Sequence, residues 1–225
     1  MEKIGFFKIS HKANTILDVC LCICIIEYVI TFGQNYVYMF SPDNVIYQFY
    51  NTPYTLPIIH VFGVLSVVAI LEVLRDKFQS INSYVQWFPL ILIICQLANL
   101  LLSSWSYSLM PESLTATNYS QQDLNKAISI NQYIQIINFI QGLAIFAFSF
   151  PMIRKFTGRI AQLGWFYIGY TVLGILAEII VFIIAYFLND NTLFNTYSTI
   201  HFIVAALLDI TVFVMLRRTM IYRQN

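Results

Sequence analysis

Two carboxylates and two histidines interrupt the apolar runs of this chain: Glu27, His60, Glu178 and His201. Taking an ionisable side chain out of water costs on the order of several kcal/mol unless it is paired, neutralised or hydrated. Residues of this kind mark either a structural contact or a place where protons, cations or polar solutes are handled. Four amides, Gln96, Asn99, Gln135 and Asn138, break the apolar runs in the same way. These eight residues are the candidate solute- or ion-binding set. His60, His201, Glu27 and Glu178 are also the candidate ligands for a divalent metal, since imidazole and carboxylate suit zinc and iron. His60 and His201 are further candidates for the axial ligands of haem b. No catalytic motif supports an enzyme: the three histidines, His11, His60 and His201, are far apart in sequence, and neither H-E-x-x-H nor C-x-x-C occurs.

The composition says what must hold these groups. Of 225 residues, 59% are hydrophobic and only 10% charged, and the mean hydropathy is +0.70. Soluble domains carry roughly a quarter of their residues as charges. The missing charge implies a surface that faces a lipid bilayer. A net charge of +1 without a basic tract offers no site for nucleic acid. Cys20, Cys22, Cys24 and Cys95 all fall in apolar runs and read as buried thiols, not as a disulfide framework.

The pattern predicts an all-α, polytopic membrane protein, one integral membrane domain over 1–225. Six spans are expected at about 13–33, 53–74, 85–107, 128–150, 161–187 and 195–216. Residues 1–12 suit a segment lying at headgroup level, and 43–50 a short interfacial helix after the Ser41-Pro42-Asp43 start signal. Arg75, Asp76 and Lys77 should end the second span and Pro151 the fourth. Trp87 near one boundary, with Trp105 and Tyr107 near the other, fits an aromatic belt.

Lysine and arginine set the orientation. They occur at 3, 8 and 12, at 75 and 77, at 154, 155 and 159, and at 217, 218 and 223, whereas the alternate loops hold only Lys126. By the positive-inside rule both termini are cytoplasmic, and the expected location is the plasma (inner) membrane. Asn118-Tyr119-Ser120, a glycosylation acceptor by pattern, then falls in the long outer loop.

With this orientation every span contributes a polar group to one slab in the outer half of the bundle, at about 1.5 Å of depth per residue. Cys20, Cys24, Glu27 and Thr31 share a stripe, as do Asn131, Gln135, Asn138, Gly142 and Ser149. His60 shares its face with Gly63, where a missing side chain leaves room. Stripes of amides and small residues also serve as plain glue between membrane helices. Glu72 should pair with Arg75, and Asp209 is a weaker candidate for an internal proton path. A faint echo of residues 51–60 in 195–201 suggests a duplicated helix pair.

Three functions remain in view. The first is a small transporter or proton- or cation-coupled carrier using the outer polar slab. The second is a non-catalytic accessory subunit that packs against membrane partner subunits or a second copy. The third is a membrane protein binding haem b or a metal through His60 and His201.

Overall fold

A computed structural model describes residues 4–40, 55–81, 83–108, 121–184 and 191–222. The chain is all-α, with six helices among these residues: α1 His11–Phe40, α2 Thr55–Ser80, α3 Trp87–Ser108, α4 Gln121–Lys155, α5 Gly158–Ile183 and α6 Asn191–Arg218. Two three-residue strands, β1 Phe7–Ile9 and β2 Met220–Tyr222, precede the first helix and follow the last.

Five stretches are long and apolar enough to cross a membrane: His11–Gly33, Ile58–Ser80, Tyr84–Ser106, Ile128–Lys155 and Gly158–Ile183. In such sequences a helix is the form that satisfies each backbone N–H and C=O within its own segment. Large apolar side chains stand on their outer faces, with Leu101 72% and Phe139 67% exposed. That is the surface expected where the neighbour is lipid rather than water.

α2 and α4 outrun their sequence-based C-terminal bounds, for identifiable reasons. α2 continues past Arg75 to Ser80, because Arg75 reaches back one turn to Glu72 and its charge stays outside the helix axis. Pro151 lies inside α4 and does not stop it. Proline removes one N–H bond, and the helix still closes another turn, with Phe156 N–H donating to the Met152 carbonyl at 3.2 Å. α3 is preceded by a 3₁₀ turn, Tyr84–Gln86, whose Ser83 hydroxyl accepts from Val85 N–H at 3.3 Å. The expected interfacial helix at 43–50 and the acceptor at Asn118 lie outside the described residues.

Contacts group into two units. The terminal unit comprises Met1–Leu21 with Ile145–Asn225, and the middle unit Cys22–Ala144.

In the middle unit α2 packs along α3. Ile70, Leu71, Leu74, Phe78, Val85 and Phe88 are fully buried there.

In the terminal unit α5 packs on α6, and α4 approaches α5 closely at Gly164. A Cβ at that glycine would stand 2.9 Å from the Ser149 carbonyl oxygen. Leu17, Met152, Ile160, Leu163 and Met220 form its core.

The segment 4–9, expected to lie at headgroup level, is built into this unit. β1 pairs in parallel with β2, Phe7 opposite Met220 and Ile9 opposite Tyr222. Phe7 N–H donates to the Thr219 carbonyl at 2.7 Å. The turn between α4 and α5 joins them: Thr157 N–H donates to the Ile4 carbonyl (3.0 Å) and Ile160 N–H to the Gly5 carbonyl (3.2 Å). The second bond satisfies a first-turn N–H of α5 that has no partner within its own helix. Gly158 adopts φ +53°, and its Cβ position would lie 3.3 Å from Gly5. The left-handed backbone and the close approach both call for glycine.

Arg217 locks this clasp. Its Nε donates to Asp18 Oδ1 at 2.8 Å, its Nη2 to Asn14 Oδ1 at 2.6 Å, and its Nη1 to the Met220 carbonyl. Asn14 in turn donates to Asp18 Oδ2 at 2.9 Å.

Candidate functional site

The middle unit brings Glu27 of α1 and His60 of α2 together. Glu27 Oε1 lies 3.1 Å from His60 Nδ1, and the two side chains are 14% and 42% exposed respectively. Local sequence explains the fit. Gly63 lies three residues after His60 on the same face, and a Cβ there would stand 2.6 Å from Glu27 Cγ and 2.9 Å from Cδ. The room foreseen beside His60 is therefore occupied by the Glu27 side chain. Cys24, one turn before Glu27 and buried, directs its thiol toward the Gly63 carbonyl at 3.9 Å. Carboxylate, imidazole and glycine form one assembly across two helices.

Chemically the pair can act in three ways. With Nδ1 protonated, the ring donates to the carboxylate, and a second proton on the ring makes an ion pair. The carboxylate can exchange the imidazole for another cation. A carboxylate on Nδ1 also leaves Nε2 as the nitrogen Glu27 does not engage, an arrangement that orients metal-binding imidazoles.

The amides divide. Asn99 of α3 donates to Asn138 Oδ1 of α4 at 2.7 Å, a direct interhelical bond. Gln96 is half-buried on α3, and Gln135 is exposed on α4. Gln141, which the sequence reading did not single out, has a buried Oε1 with no hydrogen-bond partner. The cysteines differ from the expectation: Cys24 and Cys95 are buried, Cys20 is half-buried and Cys22 exposed. α1 turns an exposed face at Cys22.

In the terminal unit His201 of α6 is half-buried, its ring stacked on Tyr197 one turn before it at 5.9 Å and 29°. Tyr197 also donates its hydroxyl to the Ala177 carbonyl of α5 at 3.1 Å. Glu178 belongs to α5, and its side chain lies outside the described residues, as does the 51–54 part of the internal echo. Asp209 accepts a 2.7 Å hydrogen bond from the Tyr170 hydroxyl. That partner was hidden among fifteen tyrosines. The i, i+3 spacing from the fully buried Tyr167 is the signal that it faces inward.

Glu72 pairs with Arg75 as its spacing implies, with Arg75 Nε donating to Glu72 Oε2 at 2.8 Å. Beside it, Arg75, Gln79, Gln86, Trp87 and Leu90 line a shallow cavity of about 210 Å³. Among the described residues no three His, Cys, Asp or Glu side chains gather as a metal site. The chain matches no family model, no curated protein and no solved structure.

Proposed function

We propose that this chain is a small polytopic membrane carrier, coupled to protons or cations, with the Glu27–His60 pair at its binding site. The observation that carries this reading is a carboxylate and an imidazole 3.1 Å apart between two apolar helices, with a glycine vacating the space they need. Intramembrane ionisable groups are costly enough that their default role is in an ion or proton path. Either proton state of the imidazole alters the charge the helices must accommodate, which gives protonation a handle on the preferred packing.

The orientation we infer is six crossings with both termini cytoplasmic. β1 stands one residue before α1 and β2 one residue after α6, so their pairing supports both helix ends on the same face. That requires an even number of crossings, so α6 joins the five more apolar helices. The α4–α5 turn, bonded to Ile4 and Gly5, falls on that face too, as four crossings demand. Its lysines and arginines support a cytoplasmic face by the positive-inside rule, and we place the protein in the plasma (inner) membrane on that reading. A cytoplasmic reporter fused to the C-terminus should be active; a reporter active only from the outside overturns the orientation.

The functional test uses protons as the probe. Purified protein in vesicles containing a pH-sensitive dye is driven by a valinomycin-imposed potassium potential. Faster proton entry than in protein-free vesicles is expected, falling to background in Glu27→Gln and persisting in Glu72→Gln. Entry no faster than background, or equal loss in both variants, would sink the carrier reading in favour of an accessory subunit.

The carboxylate on His60 Nδ1 also favours a second reading, a haem b or metal site built on Nε2. An absorbance spectrum with elemental analysis tests it. A Soret band or bound iron or zinc lost in His60→Gln supports it, and a colourless, metal-free protein purified without chelator counts against it.

A further inference from the structure

The clasp at the chain ends gathers charges that the sequence scatters. Segments 4–12, 154–159 and 217–222 carry seven lysines and arginines and no aspartate or glutamate. Backbone bonds bring the three together: β1 on β2, Ile4 on Thr157, and Gly5 on Ile160. Arg217 holds Asp18 and Asn14, and Arg159 donates to the Arg218 carbonyl at 3.2 Å. Lys8, Lys12, Arg154, Lys155 and Arg218 are exposed. Asp18 of α1 is already paired to Arg217, and Glu2 lies outside the described residues.

Their depth is set by the helices. Lys12 lies in the first turn of α1, Arg154 and Lys155 in the last turn of α4, and Arg218 ends α6. If α1, α4 and α6 cross the bilayer, all these residues stand at headgroup level. A concentration of exposed cations there, with Asp18 paired to Arg217, attracts anionic headgroups.

We propose that the clasp is a binding site for the phosphodiester headgroup of an anionic phospholipid, with Lys8, Lys12, Arg154 and Arg218 supplying the charge. The lipid adds a further bridge between chain segments already joined by backbone bonds and by Arg217 and Arg159, so its binding stabilises the folded terminal unit. The inference rests on the membrane placement proposed above and is independent of the carrier activity.

The test is thermal unfolding of the full-length protein in neutral detergent, supplemented with phosphatidylglycerol, phosphatidylcholine or inorganic phosphate. Phosphatidylglycerol should raise the unfolding temperature above the phosphatidylcholine value by on the order of several °C. Added salt should shrink the difference. The difference should vanish in the combined Lys8→Gln, Lys12→Gln, Arg154→Gln, Arg218→Gln variant. The pairs Lys8→Gln/Lys12→Gln and Arg154→Gln/Arg218→Gln should each lose part of it, which keeps the test open if the combined variant does not fold. Arg217→Gln should lower the unfolding temperature in both lipids and preserve the difference between them. Equal stabilisation by the two lipids, or retention of the difference in the charge-neutralised variants, overturns the proposal. A full effect from inorganic phosphate alone also overturns it, in favour of a small-anion site. A C-terminal reporter active only from the outside would refute the membrane placement separately from any of these outcomes.

Discussion

The clasp of the terminal unit and the Glu27–His60 pair of the middle unit use polar groups in opposite ways. In the clasp, main-chain bonds from three segments converge, and Arg217 engages a carboxylate, an amide and a carbonyl together. Its polar atoms answer one another, and the core beneath them is closed by Met220, Ile160 and Leu17. The Glu27–His60 pair is one side-chain contact between apolar helices, with a half-exposed imidazole and space supplied by Gly63. Multiple satisfied bonds fix a geometry, whereas a single contact between titratable groups can be exchanged for another partner. The contrast fits the proposed division, in which the clasp serves stability and the Glu27–His60 pair serves chemistry.

The comparison breaks most readily at the Gly164 contact between α4 and α5. Gly164→Val drives methyl groups into the Ser149 carbonyl, and overpacking of this kind should cost about 3 kcal/mol, read as a large drop in unfolding temperature. Arg217→Gln removes a cation whose side chain is only 12% exposed, and the loss of charge-assisted bonds should cost about 2 kcal/mol. Neither change should alter proton entry per folded molecule in vesicles. Gly63→Ala sharpens the contrast from the other side. The added methyl displaces Glu27 from His60, so proton entry should fall toward the Glu27→Gln level, while stability changes by only about 1 kcal/mol. A Gly63→Ala protein with full flux would show that the pair is only a packing contact. Tyr170→Phe strips the donor from Asp209 and should lower stability by about 1 kcal/mol. The smallest effect belongs to Asn99→Ala, since interhelical hydrogen bonds in membranes average about 0.6 kcal/mol.

The sequence made the apolar helices and the polar stripes legible, because both follow from periodicity along one segment. Glu27 and His60 could be matched by depth, and Gly63 beside His60 was the local sign that something large sits there. Asn99 and Asn138 were likewise visible as helix-facing amides, though not as partners of each other. The clasp was hidden for a physical reason. Two three-residue strands have no period to detect, and their pairing depends on Phe7 meeting Met220, far along the chain. Arg217 looked like a topology marker because its partners, Asn14 and Asp18, are polar residues at the edge of a different helix. The same limit applied at Pro151, where a local rule against proline was outweighed by bonds on either side of it.

The register of β1 and β2 also orders events during synthesis. Phe7 leaves the ribosome more than two hundred residues before Met220, so the first strand is without its β2 partner until that segment has been made. Ile4 and Gly5 can bond to the α4–α5 turn earlier, once Thr157 and Ile160 have emerged, but β1 is still open along its other edge. The N-terminal segment is thus a waiting template, and its closure reports that the polypeptide has been made through to residue 222. A chain cut before Met220 would keep its apolar helices and still display a strand edge without its β2 partner, a surface open to pairing with another chain.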